Sequence, residues 1–314
     1  MRFDFDDINL IPKKCVVDSR AECDTSVKLG NFTFKLPVVP ANMECVLDVE
    51  LSRKLAENGY FYILHRFYQD QVILAFLNNM NKDGLVTSIS LGVNQDSYDL
   101  LDKIVKYELK VDFITIDIAH GHATKMERML KHLKSLMPNT FVIAGNVSTV
   151  EAVFELEKWG ADAVKVGIGP GSACTTYPST GFGSRNCQAS TIYHCATVAN
   201  LPIIADGGIK NPGDIAKSLA LGATIIMTGG LLSGYLDSPG HVVEVEGKKY
   251  KEFWGSASSF QSGKSNRIEG KKTLVDYKNE SIFDGLKYIE ECLQSSISYA
   301  GGKDLSAFDN LQWL

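Results

Sequence analysis

The sequence has no long hydrophobic run. No stretch approaches the roughly 20 apolar residues that a membrane-spanning helix needs. It has no basic excess either: lysine and arginine number 32 against 37 aspartates and glutamates, a net charge of −5. That argues against a general nucleic-acid or membrane-surface role, which calls for a basic face. It leaves an anionic nucleotide open as a ligand, because a few backbone amides suffice to hold one. There is no Cys-x-x-Cys pair, and the seven cysteines (15, 23, 45, 174, 187, 195 and 292) are odd in number and scattered. Reduced thiols and a cytoplasmic location are the expectation. The acidic start, Met1 to Asp7, lacks the apolar core of a signal peptide. No Gly-x-Gly-x-x-Gly fingerprint marks a dinucleotide-binding doubly wound sheet.

What is present is a repeat. In a chain of 314 residues, 45% hydrophobic and 22% charged, short β-branched runs end in small residues and are followed by segments of helical period. The runs are 36–40, 60–64, 86–91, 113–118, 141–145, 163–167, 203–206 and 225–228. Segments such as 49–58, 150–159 and 213–221 read as the intervening helices. Continuous apolar strands alternating with helices imply a parallel sheet covered on both faces. Eight such units predict an α/β fold, the TIM (β/α)8 barrel, rather than an open sheet. Four late strands run into glycine at Gly145, Gly167, Gly207-Gly208 and Gly229-Gly230. In a barrel these loops open on one rim, where active sites lie and where the last two loops often bind phosphate.

Residues 233–279 break the repeat. They are polar and carry a hairpin pattern, 242–250, around Gly247, followed by a stretch expected to be mobile. An irregular insertion after the eighth strand is expected to be an active-site lid. A final helix is expected over 282–296, and no linker divides residues 1–314 into two domains.

Cys174 stands out chemically. It follows the sixth strand in Gly169-Pro170-Gly171-Ser172-Ala173-Cys174-Thr175-Thr176, where nearby amides and hydroxyls can favour the thiolate, the reactive form. The other six cysteines are expected to be inert and buried. Glu269 in the insertion is a candidate proton carrier, and Asp206 at a strand end is a candidate ribose ligand or a structural cap. His120-Gly121-His122 lacks a matching carboxylate or thiol set, so a polar rim contact is expected there rather than a metal site. Arg20, before the barrel, can reach a phosphate, although one basic residue means little by itself.

At this point the motifs resemble a known family. The Cys174 loop, then Thr180-Gly181-Phe182-Gly183, Asp206-Gly207-Gly208-Ile209, Gly229-Gly230 and Glu269-Gly270-Lys271 are similar in order and kind to the IMP dehydrogenase/GMP reductase family. So are Pro40-Ala41-Asn42-Met43 and Ala144-Gly145-Asn146-Val147, and the likeness spans Asp4 to about Leu305. Residues 76–86 leave no room for the regulatory insertion usual in the dehydrogenases. Between 242 and 277 there is no Arg-Tyr pair of the kind that activates water there; Arg267 is the only arginine. Residues 116–122 and 295–305 resemble the short bacterial reductases.

The resemblance implies NADPH-dependent reductive deamination of GMP to IMP and ammonia. Cys174 would form a thioimidate, with Thr176 and Glu269 moving protons. By the same resemblance Asp206, Gly207, Gly208, Gly229, Gly230, Gly255, Ser256 and Ala257 would hold the nucleotide. Asp117, Ile118, Ala119, Ile168, Gly169 and Arg66 would line the cofactor side, with Ser19 and Arg20 reaching it from a neighbouring subunit of a homotetramer. In several relatives the loop binds a monovalent cation, potassium, through carbonyls here on Gly169, Gly171 and Cys174. Tyr177 stands where relatives usually have Arg. The alternatives are an IMP dehydrogenase and a catalytically silent barrel that senses a purine nucleotide.

Overall fold

A computed structural model describes residues 2–262 and 269–314 of the chain. A short antiparallel hairpin, β1 (Val27–Leu29) and β2 (Phe32–Phe34), comes first. Seven parallel strands follow: β3 (Val38–Pro40), β4 (Ser88–Leu91), β5 (Phe113–Asp117), β6 (Phe141–Val147), β7 (Ala163–Val166), β8 (Ile203–Asp206) and β9 (Ile225–Thr228). Their order across the sheet is β3-β9-β8-β7-β6-β5-β4, so β4 to β9 each lie beside their chain neighbour and the last returns to the first. The closing ladder runs from Val38↔Ile226 to Pro40↔Thr228. Helices α1 (Val49–Glu57), α2 (Asp70–Lys82), α3 (Gln95–Lys106), α4 (Thr124–Leu136), α5 (Val150–Lys158), α6 (Thr176–Thr180), α7 (Gln188–Ala196) and α8 (Pro212–Ala220) alternate with the strands. This is an α/β barrel of the TIM type.

The expected second strand, 60–64, is the exception. It makes only one parallel bridge, Leu64↔Ile89, through Leu64 N–H to Ser88 O (3.1 Å) and Ser90 N–H to Leu64 O (2.8 Å). The next ladder step would use Val86 O and Ser88 N–H. The buried Tyr62 hydroxyl takes both, donating to Val86 O at 2.7 Å and accepting from Ser88 N–H at 3.2 Å. A side chain has thus replaced a backbone pair. The segment still keeps the strand period: Phe61 and Ile63 join the barrel interior, while Tyr60, Tyr62 and Leu64 join the outer core.

That period sorts the whole barrel. Val39, Phe113, Ile143, Ala163, Ile204, Ile225 and Met227 point inward, and Leu29 and Phe34 of the hairpin close the end where the strands begin. Ile114, Ile116, Val142, Val164, Val166 and Ile226 point outward, onto helix residues such as Leu55, Leu101, Leu130, Val153 and Ile215. Helix starts follow local capping chemistry. Asp48 accepts from Leu51 N–H at 2.7 Å, and Asn211, ahead of Pro212, accepts from Asp214 N–H at 3.1 Å.

After β9 the chain departs from the repeat. β10 (Val242–Val245) and β11 (Lys248–Trp254) form the expected hairpin, with Glu246 and Gly247 both at positive φ (52° and 76°), the two-residue turn that matches strand twist. After the short α9 (Ser259–Ser262), the expected mobile stretch includes a third strand, β12 (Lys272–Asp276), paired antiparallel with β11. The final helix, α10 (Ile282–Tyr299), runs a turn longer than expected and starts at a capping box on Ser281.

His65 follows the 60–64 segment and is 1% exposed. Its ring stacks on Tyr68 at 4.4 Å, and Nδ1 accepts from Phe67 N–H at 3.3 Å. Burial lowers its pKa to about 4. The unfolded chain therefore binds a proton near pH 6.5 that the folded chain refuses until about pH 4. The stabilisation is present above 6.5 and lost on acidification, by about 3 kcal/mol in all. Urea midpoints measured from pH 7 to 4.5 are expected to fall, and to fall less steeply in His65→Phe. Parallel profiles for the two chains would exclude His65 as a source of acid sensitivity.

Candidate active site

The carboxyl ends of the strands open into a cleft of about 900 Å³. Its floor is set by the same two-residue period. Along β7, Ala163 points inward, and so does Lys165; along β5 and β8 the last inward residues are Asp117 and Asp206. Lys165 Nζ donates to Asp206 Oδ2 at 2.6 Å and lies 3.4 Å from Asp117 Oδ1. Asn146 Nδ2 also donates to Asp206 (2.7 Å), and Asn42 Nδ2 to Asp117 (2.7 Å). Burial pushes the Asp117 carboxyl up, but Lys165, Asn42 and Arg66 outweigh it and hold the carboxyl below its ordinary range. Burial likewise works against the Lys165 ammonium, and the two carboxylates more than restore its charge.

On one wall the β7–α6 loop carries Cys174. The turn is closed by Cys174 N–H to Gly171 O at 3.1 Å. Strip 269–271 of the insertion runs beside this loop, bonded through Thr175 N–H to Glu269 O (2.9 Å) and Lys271 N–H to Ala173 O (2.8 Å). On its other side Glu269 N–H donates to Ala257 O at 3.1 Å, and a Cβ on Gly270 would stand 2.8 Å from Ser258 N. Only a residue without a side chain fits between the two segments. Phe253 and Trp254 of β11 pack with Cys45, Val46 and Ala173 and hold the sheet against the loop.

This arrangement lines up three side chains. Cys174 Sγ lies 3.2 Å from Thr176 Oγ1, and Thr176 Oγ1 donates to Glu269 Oε2 at 2.6 Å. Cys174 is half-buried and Thr176 buried. A thiol, a hydroxyl and a carboxylate in one hydrogen-bonded line can pass the thiol proton to the carboxylate.

The glycines divide into two kinds. At Gly167 (φ +147°) a Cβ would stand 1.9 Å from Asp206 O, so strand packing requires glycine there. At Gly230 a Cβ would meet nothing within 4 Å and would occupy the cleft itself. Two buried polar atoms among the cleft residues, Asn146 Oδ1 and Thr228 Oγ1, have no hydrogen-bond partner among the described residues. These are features of a site shaped for a polar ligand.

The pattern that describes the IMP dehydrogenase / GMP reductase domain matches residues 2–312. This chain belongs to the IMP dehydrogenase/GMP reductase family. It is similar along its length to proteins named GMP reductase from Lysinibacillus sphaericus (54% identical over 312 residues, 99% of this chain and 95% of the relative) and Bacillus subtilis (53% over 312 residues, 99% and 95%). The GMP reductase of Lactococcus lactis subsp. cremoris is 54% identical over 99% of this chain and 94% of its own.

Of the residues singled out from the sequence, Cys174, Thr176, Glu269, Asp206, Gly207, Gly208, Gly229, Gly230, Gly255, Ser256 and Ala257 all line this same cleft. So do Asp117, Ile118, Ala119, Ile168, Gly169, Gly171 and Arg66. Ser19 and Arg20 do not. They sit in a one-turn helix against α10, with Arg20 donating to Ser295 Oγ at 3.3 Å and lying 5.3 Å over the Tyr299 ring. His122 pairs with Glu155 at 2.7 Å, a rim contact, and no cluster of three or more metal-type ligands occurs among the described residues. Arg267 lies outside the described residues.

The cysteine expectation needs correction. Cys23, Cys45 and Cys195 are buried, and burial pushes the thiols of Cys45 and Cys195 up to about 12. Cys15 is exposed, and Cys187 and Cys292 are half-buried, because they lie on the chain's outer segments rather than facing the barrel core. Lys165 was overlooked in the sequence. Its signal was a lone charge inside the apolar run Ala163-Val164-Lys165-Val166 of a doubly covered strand, where an unpaired ammonium would be prohibitive.

Proposed function

We propose that this chain reduces GMP to IMP and ammonia with NADPH, through a thioimidate on Cys174. The observation that carries the reading is the Cys174–Thr176–Glu269 line at the wall of the cleft. Through Thr176, Glu269 takes the thiol proton as sulfur attacks C2 of the guanine. The same proton returns to the 2-amino group, the C2–N bond breaks, and ammonia leaves. NADPH, when bound, supplies the hydride that replaces sulfur at C2. Asp206 would bind the ribose, with Gly207 beside it. The backbone at Gly208, Gly229 and Gly230 would bind the phosphate, and Gly255 to Ala257 would lie along the base. Asp117, Ile118, Ala119, Ile168, Gly169 and Arg66 would hold the dinucleotide.

The absence of an Arg-Tyr pair between 242 and 277 favours hydride over water as the second reactant, and so favours a reductase over a dehydrogenase. The insertion 233–279 would act as the lid of a single-domain barrel spanning 1–314. Ser19 and Arg20, remote from their own cleft, suit the expected role across a homotetramer interface. Potassium would be held by carbonyls of the Cys174 loop. That of Gly171 already accepts Cys174 N–H, which leaves Gly169 and Cys174 as the freer pair. A cytoplasmic location accords with the free cysteines. The test is an assay of the purified chain: NADPH is consumed with GMP, and no NADH forms from IMP and NAD. NADH formation from IMP would overturn the reading in favour of a dehydrogenase.

A further inference from the structure

Lys165 lies between two carboxylates that the proposed function gives to different ligands, Asp206 to the nucleotide and Asp117 to the dinucleotide. The lysine side chain is 2% exposed. Across from it, a Cβ on Gly145 would stand 2.6 Å from Lys165 Cβ, so the barrel makes room for the lysine by omitting a side chain. The groups facing the ammonium are Asp117 from β5, Asp206 from β8 and Met227 Sδ from β9 at 3.8 Å. Asn42 holds the oxygen of Asp117 that faces away from the lysine, Asn146 shares Asp206 Oδ2 with it, and the charge of Arg66 acts on Asp117.

The bonding leaves a division of labour. Asp206 Oδ2 accepts from both Lys165 and Asn146, and Oδ1 accepts no bond among the described residues, so it remains for ligand hydroxyls. On Asp117, Oδ1 faces Lys165 and Oδ2 accepts from Asn42. A lysine suits this position because its three donors rotate about a point charge and can serve two carboxylates at once. Removing the ammonium would leave two buried acids facing each other with too little opposing charge, and such a pair retains a proton.

We propose that Lys165 is a positioning residue shared by both subsites, holding Asp206 and Asp117 aimed into the cleft so that one ammonium sets the affinity for nucleotide and dinucleotide together. This rests on the proposed GMP reductase reading. Lys165→Met is expected to raise KM for GMP and for NADPH, each by about tenfold or more. Asp206→Asn is expected to raise mainly the first and Asp117→Asn mainly the second. Lys165→Met also gains a pH dependence that the parent lacks. Its kcat/KM for GMP rises with pH as the retained proton leaves and the carboxylate acceptor returns. Lys165→Arg keeps the charge and recovers most of the loss in both constants.

Circular dichroism melts establish that the variants fold. Should Lys165→Met not fold, Lys165→Arg set against the two aspartate variants carries the comparison. A folded Lys165→Met chain that shifts one KM only, or shifts both with the parental pH profile, overturns the proposal while the function stands. So does a Lys165→Arg chain that behaves like either single aspartate variant. A parent chain that consumes no NADPH with GMP overturns the functional reading, and this proposal with it.

Discussion

Cys174→Ala is expected to lower GMP turnover by about 10⁴-fold or more, the scale of removing a covalent nucleophile. Binding should survive, because the alanine keeps the backbone turn and its bonds to strip 269–271, and the remaining cleft is unchanged. GMP affinity, measured calorimetrically, should therefore stay close to that of the parent. Mass spectrometry supplies the direct readout. The parent incubated with GMP alone should gain the mass of GMP less ammonia on the peptide containing Cys174, and the variant should gain nothing. Turnover within tenfold of the parent would rule out Cys174 as the nucleophile. Cys45 and Cys195 make poor substitutes, since burial pushes both thiols up to about 12.

The second large effect is expected at the other end of the proton line. Glu269→Gln keeps an acceptor for the Thr176 hydroxyl, now 2.6 Å from the carboxylate, but can no longer take a proton. Thr176→Val keeps the shape and removes the hydroxyl that bridges sulfur and carboxylate. Each is expected to lower kcat by about 10²- to 10⁴-fold, the usual worth of positioned acid–base groups. KM for GMP should change little. If the residues act as one relay, the double variant should be about as slow as the slower single one, because a broken relay cannot be broken twice. Multiplying effects in the double variant would mean that Thr176 and Glu269 act independently.

The repeat of apolar runs and helical segments was legible because both signals are local. A strand period of two and a helix period of 3.6 are properties of a few successive residues. The β8 and β9 boundaries were read from sequence at 203–206 and 225–228, where the structure has them. The Glu246-Gly247 turn was legible for the same reason. Segment 60–64 was not, because its ladder is interrupted by the Tyr62 hydroxyl bonding across to Val86 and Ser88, some 25 positions away. The third strand of the insertion was missed because its pattern is weak and partly exposed, and it forms only against β11.

The site divides in the same way. Sequence alone determined which residue types stand at the strand ends and, through its motifs, the family. It did not determine that Glu269 meets Thr176, 93 positions earlier, or that Lys165 meets Asp206, 41 positions later. Those meetings depend on the curl of the barrel and on the insertion lying along the Cys174 loop. A charge in an apolar strand shows that a partner must exist, since burial without one is too costly. Only the tertiary structure, by turning Lys165, Asp117 and Asp206 inward toward one another, decided that the partner is a pair.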